Sequence, residues 1–449
     1  MSIYKACDIR GRYGEELREE HATRLGQAIT QYADKPAILV GGDGRLSTPT
    51  LKAHLIAGLS KSGCRVIDLG ILPTPALYYA RRHLGIYAAV MVTASHNPAG
   101  DNGFKISLSA APIRPEDITA LSKLMEAEAS PLALQGEAVH CIDILPAYVS
   151  FAVSQAQALD GLKVVVDCAN GAASLVAQQI WQATGAQVSY LYDTLDGNFP
   201  NHAPDPSNVK NITALCQAVK ELGADMGVAY DGDADRVIFV DANGKPLSGD
   251  KAIVIFARQA LANEKAPIVY DQKCSLIVAD AIRNNGGEPV RERSGHTFIK
   301  TSFLRLNAPY AGEISGHHFF RLLQGDDGII ASLYMANLLK ASGQTLAQIG
   351  DAIKTYPITP DIRLKMDEAT AKRVLADLKR GLANDATLTT LDGLRADFAD
   401  GWGMARQSVT EPAITLRFEG KDEAALQSIV KHFELAAPDL AGRLPALHA

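Results

Sequence analysis

PAILVGGDGR, residues 36–45, is an aliphatic run that halts at Asp43 and opens into a polar loop. The same pattern returns as LKVVVDCANG at 162–171, halting at Asp167, and as APIVYDQKCS at 266–275, halting at Asp271. After each, a helical stretch leads through glycine into a second strand: SGCRVIDLG (62–70), GAQVSYLYD (185–193) and GGEPVRERSGH (286–296). Strands alternating with helices at this spacing predict βαβ units and a largely parallel sheet, so the chain carries a divergent triplication of one α/β domain.

Each copy then supplies a third strand with an unusual end: YAAVMVTASHNP (87–98), ADMGVAYDGDADR (224–236) and NAPYAGEISGHH (307–318). Ligands collect beyond the carboxyl ends of strands in open α/β sheets, so three matching ends are expected to face one cleft. Past residue 356 the pattern changes. YPITPDIRLKM (356–366) reads as a linker into a strand, DEATAKRVLADLKRGL (367–382) as a helix and ITLRFEG (414–420) as a half-buried strand. The expected class is therefore α/β: three topologically similar domains with mixed, largely parallel sheets at 1–139, 140–246 and 247–356, and a smaller α+β domain at 357–449, around a central cleft.

A length of 449 residues fits several domains, and a net charge of -6 argues against a nucleic-acid-binding surface. It does not exclude a phosphate-bearing substrate, because local arginines and lysines can make one cleft positive. The six cysteines have no zinc-type spacing, the amino terminus lacks a secretory apolar stretch, and no apolar run approaches about 20 residues. The chain is expected to be cytoplasmic, with no membrane partner and reduced thiols.

Ser95 lies in VMVTASHNPAGDNGFK (90–105), where an apolar strand gives way to turn formers and Pro98. By itself such a serine reads more often as a turn residue than as a nucleophile, and the segment is not the Gly-x-Ser-x-Gly elbow of a hydrolase. His96 is adjacent, but its ring need not reach the serine, and Lys105 reads equally as a surface charge. In DGDADR (231–236), an extended loop would put Asp231, Asp233 and Asp235 on one side, with a repulsion that a cation relieves. All-oxygen donors favour Mg²⁺ or Ca²⁺ over zinc, and an EF-hand fails because its glycine and glutamate positions are Arg236 and Ala242.

GEISGHHFF (312–320) offers Glu313 and Ser315 for sugar hydroxyls, with His317 and His318 as cleft or packing residues. RSGHTFIK (293–300) adds His296 and Lys300, and ARQSVTEP (405–412) gathers Arg406, Ser408 and Thr410 as phosphate-type donors.

TASHNP, DGDADR, GEISGHH and RQSVTEP, in this order, resemble the α-D-phosphohexomutase family, most closely its bacterial phosphomannomutase/phosphoglucomutase branch. The resemblance runs from ACDIRGRYG (6–14) through DGNFPNHAPDP (196–206) to GWGMARQSVTEPAITLRFEG (401–420). It implies a four-domain, heart-shaped enzyme that moves phosphate reversibly between C1 and C6 of mannose or glucose phosphates. Ser95 would be the phosphoserine, and Mg²⁺ would be held by its phosphate with Asp231, Asp233 and Asp235. Glu313 and Ser315 would read the sugar, and Arg406, Ser408 and Thr410 would clamp the phosphate not being transferred.

Lys105, Arg10, His296 and His317 match positions near the reacting hydroxyl, as candidates for general acid and base. Arg10 and Arg236 read as charge partners first, and Lys273 and Arg293 match further basic cleft positions. The resemblance also implies a 1,6-bisphosphate of glucose or mannose as intermediate and activator, small-molecule hexose phosphates as partners, and a monomer. Two departures bear on sugar preference: Cys7 stands where the family has tyrosine, and Val409 where it has a polar residue or glycine. The competing readings are a phosphoglucosamine mutase, a Mg-dependent aspartyl phosphatase using Asp231 and Asp233 with Asp326 and Asp327, and a non-catalytic sugar-phosphate-binding protein.

Overall fold

The structure, a computed structural model, describes residues 3–33, 37–127, 136–407 and 412–444. In each of the first three sheets one arrangement recurs: second strand, first strand, third strand, all parallel, then a hairpin partner running antiparallel to the third. In the first copy these are Arg65–Ile71, Ala37–Gly42, Ala89–Val92 and Asp101–Ser107; in the second, Gln187–Leu191, Lys163–Asp167, Met226–Tyr230 and Val237–Asp241. In the third they are Glu288–Glu292, Pro267–Asp271, Tyr310–Gly312 and His318–Phe320. The first sheet gains Ile9–Arg12 and Val139–Cys141 at its edges, and the third gains Gly325–Asp326.

The central strands Ala89–Val92 and Met226–Tyr230 are buried at every position, which is why they read as unbroken apolar runs rather than alternating ones. Edge strands such as Gln187–Leu191 alternate between exposed and half-buried residues. One apolar core runs continuously from one face of the first domain through the second and third, while the helices on the other face of the first domain enclose a core of their own. Helix Gly328–Ser342, nominally of the third copy, locks the second and third together: Ser332 bonds the Tyr230 hydroxyl at 2.6 Å and Asn337 donates to Gln155 O at 2.9 Å.

The fourth domain is a five-stranded antiparallel sheet covered by Glu368–Gly381 and Glu423–Ala436, each helix capped by the preceding aspartate, Asp367 or Asp422. Its apolar core is separate, and it meets the third domain through polar groups. Arg291 grips Asp397 with both terminal nitrogens at 2.8 and 2.7 Å, and Glu419 accepts from the Ser275 hydroxyl, Leu276 N and Trp402 Nε1.

Two separate cores joined by polar contacts should unfold in two steps. Asp397→Ala leaves Arg291 without its bidentate partner and should weaken the docking by about 1 kcal/mol. Scanning calorimetry should then show the fourth-domain transition moving down while that of the three-domain body stays. An unchanged trace would count against a docking role for this pair.

Candidate active site

The ends of the third strands meet in one cleft of about 350 Å³. From the first domain come Arg10, Ser95 and Lys105, from the second Arg236, from the third Arg293, His296, Glu313 and His317, and from the fourth Arg406. Sheet register explains the first group: Lys105 pairs with Met91 across the hairpin, and Arg10 pairs with Gly103 one strand further out. Adjacent strands therefore bring both cations beside the serine loop.

Ser95 takes φ 51°, a left-handed conformation rare for a residue with a side chain. Its hydroxyl donates to Asp231 Oδ2 at 2.7 Å, across 136 residues and a domain boundary. The two loops come so close that a Cβ on Gly232 would lie 2.4 Å from Ser95 O, so glycine is required there. His96, whose ring the sequence left with no need to reach the serine, does reach it: Nδ1 lies 3.2 Å from Ser95 Oγ. Arg236, burial, Arg10 and Lys105 all push the His96 pKa far below its usual range, so the ring is neutral.

The aspartate loop is a turn rather than an extended segment, with Ala234 at φ 65°. The carboxylates nonetheless converge: one oxygen each from Asp231, Asp233 and Asp235 lie within 4.8 Å of one another, and all three residues are fully buried. Burial, Asp233 and Asp235 raise the Asp231 pKa well above the carboxylate range. Lys105 Nζ bonds Asp233 Oδ2 at 2.7 Å and Asp235 Oδ2 at 2.5 Å. Burial opposes the lysine's charge, but the two carboxylates outweigh it and raise its pKa well above normal.

Asp233 Oδ1 and Asp235 Oδ1 are buried acceptors with no hydrogen-bond partner among the described residues. Orphaned hard oxygen donors at the convergence point of three carboxylates fit a divalent cation.

The opposite wall is a histidine network. Asp326 accepts from His296 Nε2 and from His317 Nδ1, each at 2.8 Å, while Arg236 Nε donates to His317 Nε2 at 2.9 Å. The ring thus turns Nδ1–H to Asp326 and Nε2 to Arg236; burial and Arg236 oppose its charge, but Asp235 and Asp326 outweigh them and raise its pKa. A proton arriving at Nε2 must displace Arg236.

On the far side Arg293 Nε, Arg406 Nε and Glu313 Oε2 are buried and unpartnered among the described residues, two donors and an acceptor suited to an anionic, hydroxylated ligand. Arg406 is held by Asp392 at 2.8 Å. Ser315 turns its hydroxyl onto Glu313 Oε1 at 2.8 Å, and Lys273 pairs with Asp361 at 3.4 Å; neither lines the cleft. Ser408, Val409 and Thr410 lie outside the described residues. Cys7 lines the cleft, and burial pushes its thiol pKa up to about 11.

Sequence reading missed the shared role of Asp326, and it passed over Tyr78, whose ring lies 4.0 Å from Lys300 Nζ in the same cleft. It noted Asp43 only as a strand end and did not see that the serine loop folds around Arg45.

Comparisons with known proteins bear on the whole chain. Four family models match in order: the phosphoglucomutase/phosphomannomutase alpha/beta/alpha domains I (residues 1–131), II (145–244) and III (248–356), and the C-terminal domain (362–436). A phosphomannomutase/phosphoglucomutase of Pseudomonas syringae pv. tomato is 41% identical over 98% of this chain and 96% of its own length. A phosphoglucomutase of Neisseria gonorrhoeae is 35% identical, over 96% of each. The crystal structure of a phosphoglucomutase/phosphomannomutase family protein from Burkholderia thailandensis superposes with a TM-score of 0.89 at 33% identity, covering 99% of this chain and 98% of that one.

Proposed function

This chain belongs to the phosphoglucomutase/phosphomannomutase family, isomerases that interconvert hexose phosphates, and we propose that it does so through a phosphorylated Ser95 and a hexose 1,6-bisphosphate that turns over within the cleft. The observation that carries this reading is the 2.7 Å bond from Ser95 Oγ to Asp231, beside buried carboxylate oxygens with no hydrogen-bond partner among the described residues. A nucleophile set against a cation site suits phosphoryl transfer, which is largely positioning and charge stabilisation.

Asp231, Asp233 and Asp235, with an oxygen of the Ser95 phosphate, would hold the cation. When bound it would offset negative charge on the transferring group, and the hard oxygen set favours Mg²⁺. The chain's own residues do the rest. Arg10, Lys105 and Arg236 surround the serine and compensate the charge of its phosphate. Arg293 and Arg406 hold the phosphate that is not being transferred, together with Ser408 and Thr410, and Glu313 reads the sugar hydroxyls with Ser315 and Lys273 behind it.

His317, with Nδ1 tied to Asp326 and its pKa raised by Asp235 and Asp326, is the proton acceptor this geometry favours once Arg236 turns from Nε2 to phosphate. His296 steadies it through Asp326, and Lys105, tied to two carboxylates, acts as a cation. Both orientations of the bisphosphate must bind, which several short polar loops permit. Free glucose or mannose 1,6-bisphosphate would act as activator by reloading Ser95.

Mannose and glucose phosphates are the proposed substrates. Because all four walls come from one chain, a monomer suffices. Among the described residues no helix is long and apolar enough to cross a membrane, and the six cysteines are thiols rather than disulfides, which suits a cytoplasmic setting.

The aspartyl phosphatase alternative would recruit Asp326 and Asp327. In this fold Asp326 is committed to two histidines, while Asp327 caps a helix at Ile330 N and accepts from Tyr148. A coupled mutase assay with Mg²⁺ and bisphosphate should turn over mannose and glucose 1-phosphates at least about tenfold faster than glucosamine 1-phosphate. Preference for the amino sugar would select phosphoglucosamine mutase, and binding without turnover would select a non-catalytic binder.

A further inference from the structure

Arg45 is 1% exposed, and its side chain makes every bond a guanidinium can donate. Nε donates to Asp43 Oδ2 at 3.1 Å, one terminal nitrogen to Pro98 O and Asp101 O at 2.6 and 2.9 Å, the other to Ser95 O and Asn97 O, both at 2.7 Å. The serine loop is thus wound around one planar cation with four of its carbonyls turned inward. Such carbonyls need a buried donor, because water cannot reach them.

Asp43 completes the arrangement. It accepts from Arg45 N at 3.1 Å, Thr48 Oγ1 at 2.9 Å and Thr93 Oγ1 at 2.7 Å. The Thr93 hydroxyl oxygen accepts in turn from Ser95 N at 2.8 Å. Both peptide groups flanking the left-handed Ser95 are therefore tied to the same buried pair.

The second domain closes this pair from outside. Leu195 occupies the space beside Gly44, where a Cβ would lie 2.3 Å from its Cδ1, and the Phe199 ring sits 5.2 Å from the Arg45 guanidinium carbon. These residues belong to the segment around DGNFPNHAPDP, whose place in the chemistry was unassigned. The domain that supplies the aspartate triad also seals the clamp that aims the serine at it.

We propose that Arg45, anchored by Asp43 and covered by Leu195 and Phe199 of the second domain, is a positioning residue that holds Ser95 at one fixed point through both phosphoryl transfers. The role rests on Ser95 being the phosphoryl carrier. While the bisphosphate turns over, the serine must keep the same geometry toward Asp231, and a loop free to relax would lose it. Lysine cannot substitute, because its three tetrahedral donors leave at least two of the five acceptors, Asp43 and the four carbonyls, unpaired.

The test uses Arg45→Lys and the milder, isosteric Thr93→Val, which removes only the link from Asp43 to Ser95 N. For each, melting temperature, Ser95 phosphate content by mass spectrometry, and kcat and KM for glucose 1-phosphate are measured. A displaced reacting atom lowers kcat by about a hundredfold, so that loss is expected in Arg45→Lys, with about tenfold in Thr93→Val and KM within about twofold in both. The rate at which Ser95 phosphate passes to water should change in the same variants, a readout that plain destabilisation does not move.

Wild-type kcat in either folded variant overturns the proposal, as does a fall in kcat that merely tracks loss of folded protein. Should Arg45→Lys fail to fold, Thr93→Val decides. Absence of phosphate on Ser95 in active wild-type enzyme would instead overturn the carrier reading itself, and is seen separately in the same spectra.

Discussion

Ser95→Ala is expected to lower mutase turnover by at least about 10⁴-fold, the scale on which removing an enzyme's nucleophile acts. The variant should remain folded. The change deletes one hydroxyl from a site 1% exposed and breaks its contact with His96 and its bond to Asp231. Leaving that acceptor unpaired costs about 1–3 kcal/mol, small against a chain with this much buried core. The strained φ is a property of the backbone ties at Ser95 N and O, which alanine keeps.

Binding of hexose phosphate should persist, because Glu313, Arg293 and Arg406 are untouched. Tryptic mapping of the wild-type protein should place phosphate on the peptide carrying Ser95, and the variant should lack it. Retention of more than about 1% of wild-type turnover would remove Ser95 from the mechanism. An aspartyl-phosphate with indifferent Ser95 would revive the phosphatase.

The second large effect carries two opposite signs. Asp231→Asn should reduce turnover by about 10³-fold, because an electrostatic partner of the transferring group is lost. Without metal, the same variant should be more stable than the parent. Burial and the charges of Asp233 and Asp235 hold the Asp231 pKa well above the carboxylate range, so at neutral pH its ionised form costs folding free energy. The sign follows: with the folded pKa raised above the unfolded value, ionising this group destabilises the fold as pH rises, and a neutral amide removes the cost.

The gain is on the order of 1 kcal/mol, of the kind obtained when a strained functional group is neutralised. Adding Mg²⁺ should reverse the order. A ligand at 100 times its dissociation constant stabilises the parent by about 2.7 kcal/mol and a variant with a broken site by much less. Melting curves with chelator and with Mg²⁺ would read this crossing, and a variant less stable than the parent under chelator would show that the triad does not store repulsion.

Much of the fold was legible before the structure. The three Asp-terminated strands at 43, 167 and 271, each followed by helix, glycine and strand, are local patterns set by buried parallel pairing, and the sheets show them as adjacent parallel strands. Helix Glu368–Gly381 and strand Ala413–Gly420 were equally plain. The antiparallel hairpin partners were not read as part of the repeat, since Val237–Asp241 and His318–Phe320 share little beyond being apolar. The polar docking of the fourth domain could not be read either: Arg291 and Asp397 are 106 residues apart and each looks like an ordinary surface charge.

The site divided along the same line. Residue types that announce chemistry, three alternating aspartates or a serine amid turn formers, stand out in a single chain. Groups that act by holding others do not. Asp326 looks like one acid of a pair, and Arg45 like a charge in a turn, until the packing shows two histidines on one and four carbonyls on the other. The aspartate loop converges by a tight turn at Ala234 rather than by the period of an extended strand, and at Gly232 it packs directly against the serine loop.

By itself, then, the sequence determined the α/β class, the triplication, the fourth domain and the three polar strand ends, because periodicity and turn chemistry depend on near neighbours in the chain. Only the tertiary structure decided that Ser95 meets Asp231 across 136 residues, that Lys105 spans two carboxylates, and that His317 Nε2 accepts from Arg236. Those outcomes depend on how separate sheets dock, and docking is governed by the shape and burial of whole surfaces, which no local run of residues encodes.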